Sequence, residues 1–481
     1  MLKRNFVYYL LVAVVVVIGL CLYNPFLLYF QNDDLVHIPL SRDCVLLQHN
    51  SFRPVCDIFM MLDYRVWGKE AWGYHFTNLL LHIANTIFVY RLTILVAKKY
   101  NISNNLSIPA LLTSVLFFIY ANHSEAVFWI LGRSGMLGML FFLPACICYL
   151  KRENKIFFSA SVVFSLLAWL SYESSFILII VFTAISIIDV RKKISSVKKE
   201  SKFLLFAFFA FIMYMVSRYY FTGELLGSYE AGALQNNQFI LLAENFVKLL
   251  IRSVTPYALD SKILLLHFAL ISIVLVYTIL KQEKQLKNTI LVLGFLWLIS
   301  LLPYISLGID TKGTESERFL YLPSFFICFI IVLLISNTSN RLLKSIAFFV
   351  VFGIELFILF ENSKRYHYAG NVVKTTISEI NKLKNKNNLL IESLPEEDGG
   401  ALIFRTGFPE GVNWLKSKNT VDSLMVVSRH HTDYPVSKSF IVQRSNDVSL
   451  ITNLFLKNNV SANDIVFRYT DSSLQVISIN K

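Results

Sequence analysis

Residues 319–336 read Phe319-Leu-Tyr-Leu-Pro-Ser-Phe-Phe-Ile-Cys-Phe-Ile-Ile-Val-Leu-Leu-Ile-Ser336, an apolar run without a charged side chain. Its length is close to the roughly 20 residues that an α-helix needs to cross the hydrocarbon core of a bilayer. The stretch therefore predicts a membrane-spanning helix. It decides the class of fold because similar runs recur along the chain.

Similar apolar runs fill most of the first 361 residues, and we predict eleven membrane helices from them. The predicted ranges are 5–22, 76–97, 107–122, 134–150, 156–172, 175–190, 203–221, 263–280, 288–306, 319–336 and 344–361. The composition agrees, since 55% of the 481 residues are hydrophobic and 16% are charged, against roughly 25% charged in soluble proteins. These proportions exclude a soluble enzyme and a disordered or fibrous chain. The expected fold class is a polytopic α-helical membrane protein.

Basic residues lie in short clusters between the apolar runs. The net charge is +13, from 45 basic and 32 acidic side chains, and clusters such as Arg191-Lys-Lys193 and Lys281–Lys287 separate neighbouring spans. Basic loops of this kind stay in the cytoplasm, whereas nucleic-acid-binding proteins gather basic residues on one face. We therefore predict no nucleic-acid partner, a lipid bilayer as the environment and a cytoplasmic amino terminus.

Residues 238–259 predict a helix that lies along the membrane surface. Glu244, Lys248 and Arg252 recur at intervals of four and form one polar stripe, which is typical of interfacial helices. This position also leaves every basic cluster in the cytoplasm and places the carboxyl terminus outside. The external side then includes a long first loop, residues 23–75.

The composition changes after residue 361 and divides the chain into two parts. Residues 1–361 form the predicted membrane domain, and residues 362–481 predict a small extracytoplasmic α+β domain with a helix near 365–384. Alternating apolar runs beyond that helix predict short strands. We expect this domain to contact the acceptor or cover the mouth of the site, or to serve stability and assembly alone. The Lys- and Asn-rich composition suggests a bacterial cytoplasmic membrane.

The first external loop carries the strongest candidate for chemistry. Its sequence Gln31-Asn-Asp-Asp-Leu-Val-His37 places two adjacent carboxylates, Asp33 and Asp34, beside His37 at the edge of the first span. A partly desolvated carboxylate can act as a general base on a hydroxyl or ligate a hard cation. A solvated turn that caps a short helix is the structural alternative. A divalent metal is therefore compatible with this loop, and no other cofactor is indicated.

Polar side chains at membrane depth are the second set of candidates. Asn78, His82 and Asn85 share one helix face, which favours a polar cavity over isolated interhelical hydrogen bonds. Arg133 has the planar guanidinium that suits phosphate, or it snorkels to the interface. Further candidates occur at the outer ends of the spans: Arg53, His75, His123, Glu125, Glu173, Glu317, Arg318 and Tyr321. Ionic groups there are costly without partners, so their recurrence on one side predicts a shared site.

The cysteines give no metal site. Cys44 and Cys56 share the first external loop and would be placed to form a disulfide in an oxidising compartment. The other cysteines lie inside apolar runs, where they pack as small hydrophobic residues. Because no Cys-x-x-Cys pair occurs, structural zinc is not expected.

Several motifs occur in a characteristic order along the membrane part. They are Trp72-Gly-Tyr-His-Phe-Thr-Asn-Leu-Leu-Leu-His82, His123-Ser-Glu-Ala-Val127, Leu131-Gly-Arg133, Ser171-Tyr-Glu173 and Glu317-Arg-Phe-Leu-Tyr-Leu-Pro323. In this order they resemble the eukaryotic transmembrane O-mannosyltransferases that carry tetratricopeptide tails, and their bacterial relatives. The resemblance covers residues 20–330 and implies the type C glycosyltransferase fold.

The resemblance also implies an inverting transfer of one sugar from a polyprenyl-phosphate carrier to a hydroxyl of a protein or glycan acceptor, on the extracytoplasmic face. In such enzymes an acidic residue of the first external loop is the general base, and Asp33 or Asp34 matches it here. Arg133 and Arg318 would bind the phosphate of the lipid-linked donor. The residues that would line or support the site are His37, Arg53, His75, Asn78, His82, His123, Glu125, Glu173, Glu317 and Tyr321.

Other functions are compatible with a polytopic chain. A small α+β domain takes the place of a tetratricopeptide array, so neither mannose nor the acceptor follows from the resemblance. The alternatives are a lipid-linked oligosaccharide polymerase, a flippase or transporter without transferase activity, and an inactive receptor-like protein. A transporter of this size would be expected to show inverted repeats and charged groups at the membrane midplane, whereas the polar residues here gather at the outer edge.

Overall fold

Long apolar helices form the body of the protein in its structure, which is a computed structural model. The predicted span 263–280 lies almost wholly outside the described residues. The structure describes residues 9, 13, 15–46, 52–102, 107–223, 239–255, 269, 279, 282–382, 388–392, 394–415, 423–428, 440–444, 464–470 and 473–477.

The helices follow the apolar runs of the sequence. In chain order they are α1 (Val15–Leu27), α2 (Asp34–Arg42), α3 (Pro54–Trp67), α4 (Ala71–Lys99), α5 (Ser107–Ile119), α6 (Ser124–Phe128), α7 (Arg133–Leu150), α8 (Lys155–Trp169), α9 (Leu178–Arg191), α10 (Val197–Thr222), α11 (Phe239–Arg252), α12 (Lys284–Leu301), α13 (Pro323–Ser336) and α14 (Arg341–Lys382). Local signals set some of the boundaries. The Asn154 side chain accepts the Ile156 N–H at 2.9 Å where α8 begins, and α10 ends at Gly223, whose φ of 72° suits glycine.

Within the described ranges, six helical segments are long and apolar enough to cross a bilayer. Helices α5 and α6, which meet at a bend of 54°, make a seventh if they form one span, and α1, α8 and α13 are shorter apolar helices. The predicted class, a mainly helical multi-pass membrane protein, is therefore confirmed. The number eleven stays a prediction.

Helix α13, the run quoted first, lies in the centre of the bundle. Nearly all its side chains are buried, and it packs against α5 and α12. The first half of α14 is different, because Leu342, Phe349 and Phe357 are exposed apolar residues. On a membrane helix, exposed apolar side chains of this kind face lipid.

A buried ionic cluster joins the helix ends on the side predicted to be cytoplasmic. The Arg152 guanidinium lies 2.6 Å from Asp189 and 2.7 Å from Glu200, and the Lys99 ammonium lies 2.8 Å from Asp189. These four groups tie α4, α9 and α10 to the turn after α7. The charges balance, two against two, as buried charges require.

Helix α14 continues through the predicted boundary between residues 361 and 362. It runs for 42 residues, so the predicted span 344–361 and the predicted helix 365–384 belong to one helix. Its second half is held by protein contacts, with Asn362, Tyr366 and Val373 fully or almost fully buried. The change of composition marks a change of environment, and it does not end the helix.

The predicted surface helix corresponds to α11, and one of its three polar residues was assigned wrongly. Glu244 and Lys248 form an exposed ion pair at 2.7 Å, as expected for a polar stripe. Arg252 is instead completely buried and lies 2.5 Å from Glu317. The four-residue spacing could not reveal a partner 65 residues away in the sequence. The interfacial position of α11 stays a prediction.

After α14 the described residues form strands and one further helix. A two-stranded hairpin, β2 (Glu397–Asp398) and β3 (Ala401–Leu402), precedes α15 (Phe408–Leu415). We call residues 394–415 the C-terminal strap. A five-stranded sheet of β1 (Asn388–Glu392), β4 (Ser423–Ser428), β5 (Phe440–Arg444), β6 (Asp464–Thr470) and β7 (Ser473–Ile477) has the order β5-β4-β1-β6-β7. All its pairs are parallel except β6 with β7.

Candidate active site

Asp33 and Asp34 lie where the chain turns from α1 into α2. Asn32 adopts a left-handed backbone conformation with φ 48°, and Asp33 follows as the residue before the first turn of α2. The Gln31 N–H donates to the Asp34 carboxyl at 3.0 Å, and the Gln31 side chain donates to the Tyr366 carbonyl on α14 at 2.8 Å. The turn is therefore fixed to α14 and not free in solvent.

The two adjacent carboxylates have different environments. Asp34 is completely buried, and burial holds its pKa well above the ordinary aspartate value, although the Gln31 N–H opposes this shift. Asp33 is half-buried, and its carboxylate accepts the hydroxyl of Thr406 in the strap. Only Asp33 is therefore accessible to a substrate in this structure.

Arg133 is fully engaged in contacts between helices. Its guanidinium lies 2.5 Å from the Asp63 carboxylate and donates to the carbonyls of Tyr74 at 3.1 Å and Ile130 at 3.2 Å. Its side chain is 1% exposed. A phosphate would therefore have to compete with Asp63 and two backbone carbonyls for the Arg133 guanidinium, which already joins α3, α4 and α7.

Three other arginines form a cluster at the same end of the bundle, which we call the arginine cluster. Arg53 lies 2.8 Å from Glu173, and Arg218 lies 3.2 Å from the same carboxylate. Arg318 pairs with Glu125, whose carboxylate also accepts the Arg318 N–H at 2.9 Å. Within the described residues, the ion pairs of this cluster join three guanidinium groups to two carboxylates, an excess of one positive charge among these five groups.

Tyr172 connects Arg53 with Arg318. The Arg53 guanidinium lies over the Tyr172 ring at 4.7 Å, and both arginines lie within electrostatic reach of its phenol. A Cβ atom on Gly135 would lie 3.4 Å from the Arg318 carbonyl and 3.9 Å from the Tyr172 ring. The side chains of Arg53 and Arg318 keep 30% and 26% of their surface exposed, so both can bind a ligand.

One turn of chain joins the acidic pair to the arginine cluster. Residues Ile130–Gly132 form this turn, and the Leu131 N–H faces the Asp34 carboxyl. On its other side the turn packs on Glu125, because a Cβ atom on Gly132 would lie 2.4 Å from the Glu125 carbonyl oxygen. The turn therefore links Asp34 to Glu125, the ion partner of Arg318, although these residues are far apart in sequence.

The intramembrane polar residues form hydrogen bonds between helices. His82 bonds the Tyr321 hydroxyl at 2.7 Å and the Phe118 carbonyl at 2.9 Å, and Asn85 donates to the same hydroxyl at 3.1 Å. His123 bonds Ser324 at 2.6 Å. All of these rings and amides are fully buried, so they serve as interhelical contacts in this structure, and the polar cavity stays a prediction.

The remaining predicted site residues are also in the interior. Asn78 donates to the Val127 and Trp129 carbonyls at 3.3 and 3.1 Å, His75 lies 3.2 Å from the Tyr29 carbonyl, and His37 is buried in α2. Glu317 is fully buried beside Arg252. These residues support the loops around the site and have little surface for a substrate.

Sequence reasoning missed several residues that the structure places at or beside the site. They are Asn32, Asp63, Tyr172, Arg218, Arg252, Glu355 and Thr406. A charge inside an apolar run was an available signal for Arg218 and Glu355; the Glu355 carboxylate accepts the Ala121 N–H at 2.8 Å. Thr406 had no such signal, because a single threonine in a polar tail is ordinary.

Metal and disulfide chemistry find little support among the described residues. No group of three or more His, Cys, Asp or Glu side chains is placed to hold a metal ion in that part of the chain. Cys44 and Cys56 are both free thiols, and Cys56 donates to the Ser171 carbonyl at 3.0 Å. The predicted disulfide between them is therefore not formed in this structure.

The fold of the whole chain is similar to that of ArnT from Cupriavidus metallidurans, in the crystal structure of its apo state. The TM-score is 0.50 at 11% sequence identity, and the alignment covers 98% of this chain and 94% of ArnT. At this identity the likeness concerns the fold alone. That fold is the type C glycosyltransferase fold, which confirms the expectation from the motifs.

Sequence relatives match a shorter part of the chain. Human protein O-mannosyl-transferase TMTC2 is 33% identical over 113 residues, 23% of this chain and 13% of that protein. Protein O-mannosyl-transferase F38B6.6 of Caenorhabditis elegans is 32% identical over 121 residues, 25% of this chain and 17% of that protein. The chain thus spans less than a fifth of the length of these relatives. No family model matches the sequence.

Proposed function

We propose that this chain is a membrane glycosyltransferase that moves one sugar from a polyprenyl-phosphate carrier to an acceptor hydroxyl of a protein or glycan. The carrying observation is that Asp34, next to Asp33 in the chain, faces the turn of residues 130–132, and that this turn packs on the backbone of Glu125, the ion partner of Arg318. The reaction needs a base for the hydroxyl and positive groups for a departing phosphate. The activity named for the human and nematode relatives agrees with this class.

Arg53 and Arg318 are the phosphate ligands in this proposal. Both are partly exposed, unlike Arg133, and among the described residues the ion pairs of the cluster set three guanidinium groups against two carboxylates. As the bond between the sugar and the phosphate breaks, negative charge grows on the carrier phosphate. Guanidinium groups fixed in a partly dry site stabilise that charge more strongly than water does. Arg133 takes a structural role beside them.

Asp33 is the general base in this proposal. Asp34 is buried and holds the turn that carries Asp33 by accepting the Gln31 N–H. The Asp33 carboxylate takes the proton of the acceptor hydroxyl, whose oxygen forms a new bond to the anomeric carbon of the sugar. The bond from that carbon to the phosphate oxygen breaks on the opposite face, so the configuration inverts. The carrier leaves as polyprenyl phosphate, and the added proton stays on Asp33 until solvent removes it.

The reaction takes place on the extracytoplasmic face in this proposal. The basic cluster around Lys99, Arg152 and Lys192 lies at the ends of α4, α7 and α9 that are opposite to the arginine cluster. Basic ends stay in the cytoplasm. The amino terminus is then cytoplasmic and the C-terminal strap extracytoplasmic, in a bacterial cytoplasmic membrane.

The test uses the full chain purified into lipid nanodiscs and supplied with polyprenyl-phosphate sugars and glycan or peptide acceptors. Released polyprenyl phosphate is quantified, and the anomeric configuration of the product is read by NMR. We expect Asp33→Asn to lower turnover by about 10² to 10⁴-fold, the range for losing a general base. We expect Asp34→Asn to keep turnover within a few-fold, because Asp34 is buried.

Asp43→Asn is the matched control, since Asp43 is an exposed carboxylate at the end of α2 that pairs with its neighbour Arg42. It should leave turnover unchanged. A normal rate for Asp33→Asn would reject the base assignment. Passage of the intact lipid-linked sugar across vesicle membranes, without release of polyprenyl phosphate, would favour the transporter instead.

A further inference from the structure

The C-terminal strap contacts both loops that carry the proposed active site. Arg405 and Thr406 are neighbours in the chain, yet they bond to different loops. The Arg405 guanidinium lies 2.6 Å from Glu315, three residues before Arg318. The Thr406 N–H donates to the Asn32 side chain at 2.7 Å, one residue before Asp33.

The contact between the strap and the loop that carries Asn32 and Asp33, which we call the base loop, is specific. The Asn32 N–H donates to the Ile403 carbonyl at 2.8 Å, so strap and loop are joined through backbone as well as side chains. The Thr406 hydroxyl lies 2.9 Å from the Asn32 side-chain oxygen and also contacts the Asp33 carboxylate. A hydroxyl has one proton to donate, and a charged acceptor forms the stronger bond. Asp33 is therefore its preferred partner.

The contact between the strap and the loop that carries Thr314, Glu315 and Arg318, which we call the arginine loop, is equally direct. The Thr314 N–H donates to the Gly399 carbonyl at 3.1 Å, and a Cβ atom on Gly400 would lie 2.3 Å from the Thr314 nitrogen. Arg405 then binds Glu315 in the same loop and Glu397 in the strap. This pairing fixes the loop from which Arg318 extends.

Close packing holds the strap against the base loop. Gly407 has a φ of 77°, and a Cβ atom there would lie 2.7 Å from the Asn32 carbonyl oxygen. The ring of Trp414 lies 5.0 Å from that of Phe30, and its carbonyl accepts Lys69 at 2.7 Å. Backbone contact this close indicates a fixed relative position of the strap and the loop.

We propose that Thr406 and Arg405 are positioning residues for sugar transfer: Thr406 orients the Asp33 carboxylate, and Arg405 sets the loop that carries Arg318. The inference rests on the proposed function and adds how the Asp33 carboxylate and the loop that carries Arg318 are held at a fixed separation. A base acts only within about 3 Å of the proton that it removes. An error of about 1 Å in such a site costs on the order of 10²-fold in rate.

The first experiment compares Thr406→Val with Thr406→Ser in the nanodisc assay. Valine keeps the shape and removes the hydroxyl, and we expect kcat to fall at least about 10-fold while KM for the donor stays within about two-fold. Serine keeps the hydroxyl and should restore kcat to near the wild-type rate. Thr375→Val is the matched control, because Thr375 is an exposed threonine of α14 whose hydroxyl donates to backbone carbonyls of its own helix.

Arg405→Gln tests the other contact. We expect KM for the donor to rise, because the loop of Arg318 loses its ion pair with the strap, while the effect on kcat stays smaller. Melting temperatures of all variants are measured in parallel. If Thr406→Val lowers the melting temperature, Thr406→Ala, which removes the hydroxyl and leaves a smaller side chain, is compared with Thr406→Ser at a temperature where both are folded.

A double variant separates this inference from the proposed function. If Thr406 acts through Asp33, the Thr406→Val change should have no further effect on the residual rate of Asp33→Asn. A low rate for Asp33→Asn combined with a normal kcat for folded Thr406→Val overturns the inference and leaves the base assignment intact. A normal rate for Asp33→Asn overturns the base assignment itself. A further loss in the double variant shows that Thr406 acts elsewhere and also overturns the inference.

Discussion

Replacement of Arg133 by methionine should destabilise the protein strongly, even though methionine has a similar length and suits an apolar interior. The change leaves Asp63, 10% exposed, without its ion partner, although the Thr77 hydroxyl still donates to it at 3.0 Å. Breaking one side of a buried ion pair costs about 3–5 kcal/mol. The carbonyls of Tyr74 and Ile130 also lose a donor, at about 1 kcal/mol each. We expect a loss near 5 kcal/mol in the free energy of unfolding.

The assay is reversible unfolding by SDS in mixed micelles, followed by tryptophan fluorescence. Adding Asp63→Asn should recover about 3 kcal/mol, because the stranded charge is removed while the unpaired carbonyls remain. Turnover of the folded double variant should stay close to wild type. The reasoning is refuted if Arg133→Met is as stable as wild type and raises KM for the donor more than about tenfold, since Arg133 would then be a phosphate ligand and no structural tie.

Three further outcomes follow from other buried groups. Burial raises the pKa of Asp34. A carboxyl group whose pKa is raised by folding lowers the stability of the folded protein as the pH rises above the unfolded pKa of about 4. Asp34→Asn should therefore gain stability over wild type from pH 4 to pH 7, in the same unfolding assay. Arg152→Met leaves the buried Glu200 without the Arg152 partner, while Asp189 keeps Lys99. The change should cost about 4 kcal/mol in the same unfolding assay, and the kcat of the folded fraction should not change. Gly407→Ala combines a positive φ with a close backbone contact and should cost about 1–3 kcal/mol and lower kcat, whereas Gly353→Ala, in open space on α14, should be neutral or stabilising.

The membrane helices could be predicted from sequence because each one depends on local composition. The charge-free run of α13 and the lipid-facing residues of α14 both follow from the need to bury or expose apolar surface in a bilayer. The end of α14 could not be predicted in this way. Its second half changes from lipid contacts to protein contacts, and nothing in the local composition tells which partner covers a helix.

The location of the site stays a prediction, whereas the structure shows which of its candidate residues already have ionic partners. Asp33 and Arg318 were identified because ionic groups at membrane depth need a reason to be there. Arg133 and Arg252 have the same local signature, yet their partners Asp63 and Glu317 are distant in the chain. Whether a guanidinium is free for a ligand or already neutralised depends on folding partners, and so the three-dimensional structure is needed to distinguish them.

The uninterrupted course of α14 has a consequence for the surroundings of the protein. At 1.5 Å per residue it is about 63 Å long, twice the roughly 30 Å of a hydrocarbon core. One unbroken helix joins its apolar, lipid-facing half to the half in which the Tyr366 carbonyl accepts the Gln31 side chain. A continuous helix of this length tilts as one body. We expect that a bilayer thickness that tilts the membrane half of α14 also tilts the half that contacts Gln31, so the acyl length of the host lipids should change the turnover of the proposed enzyme.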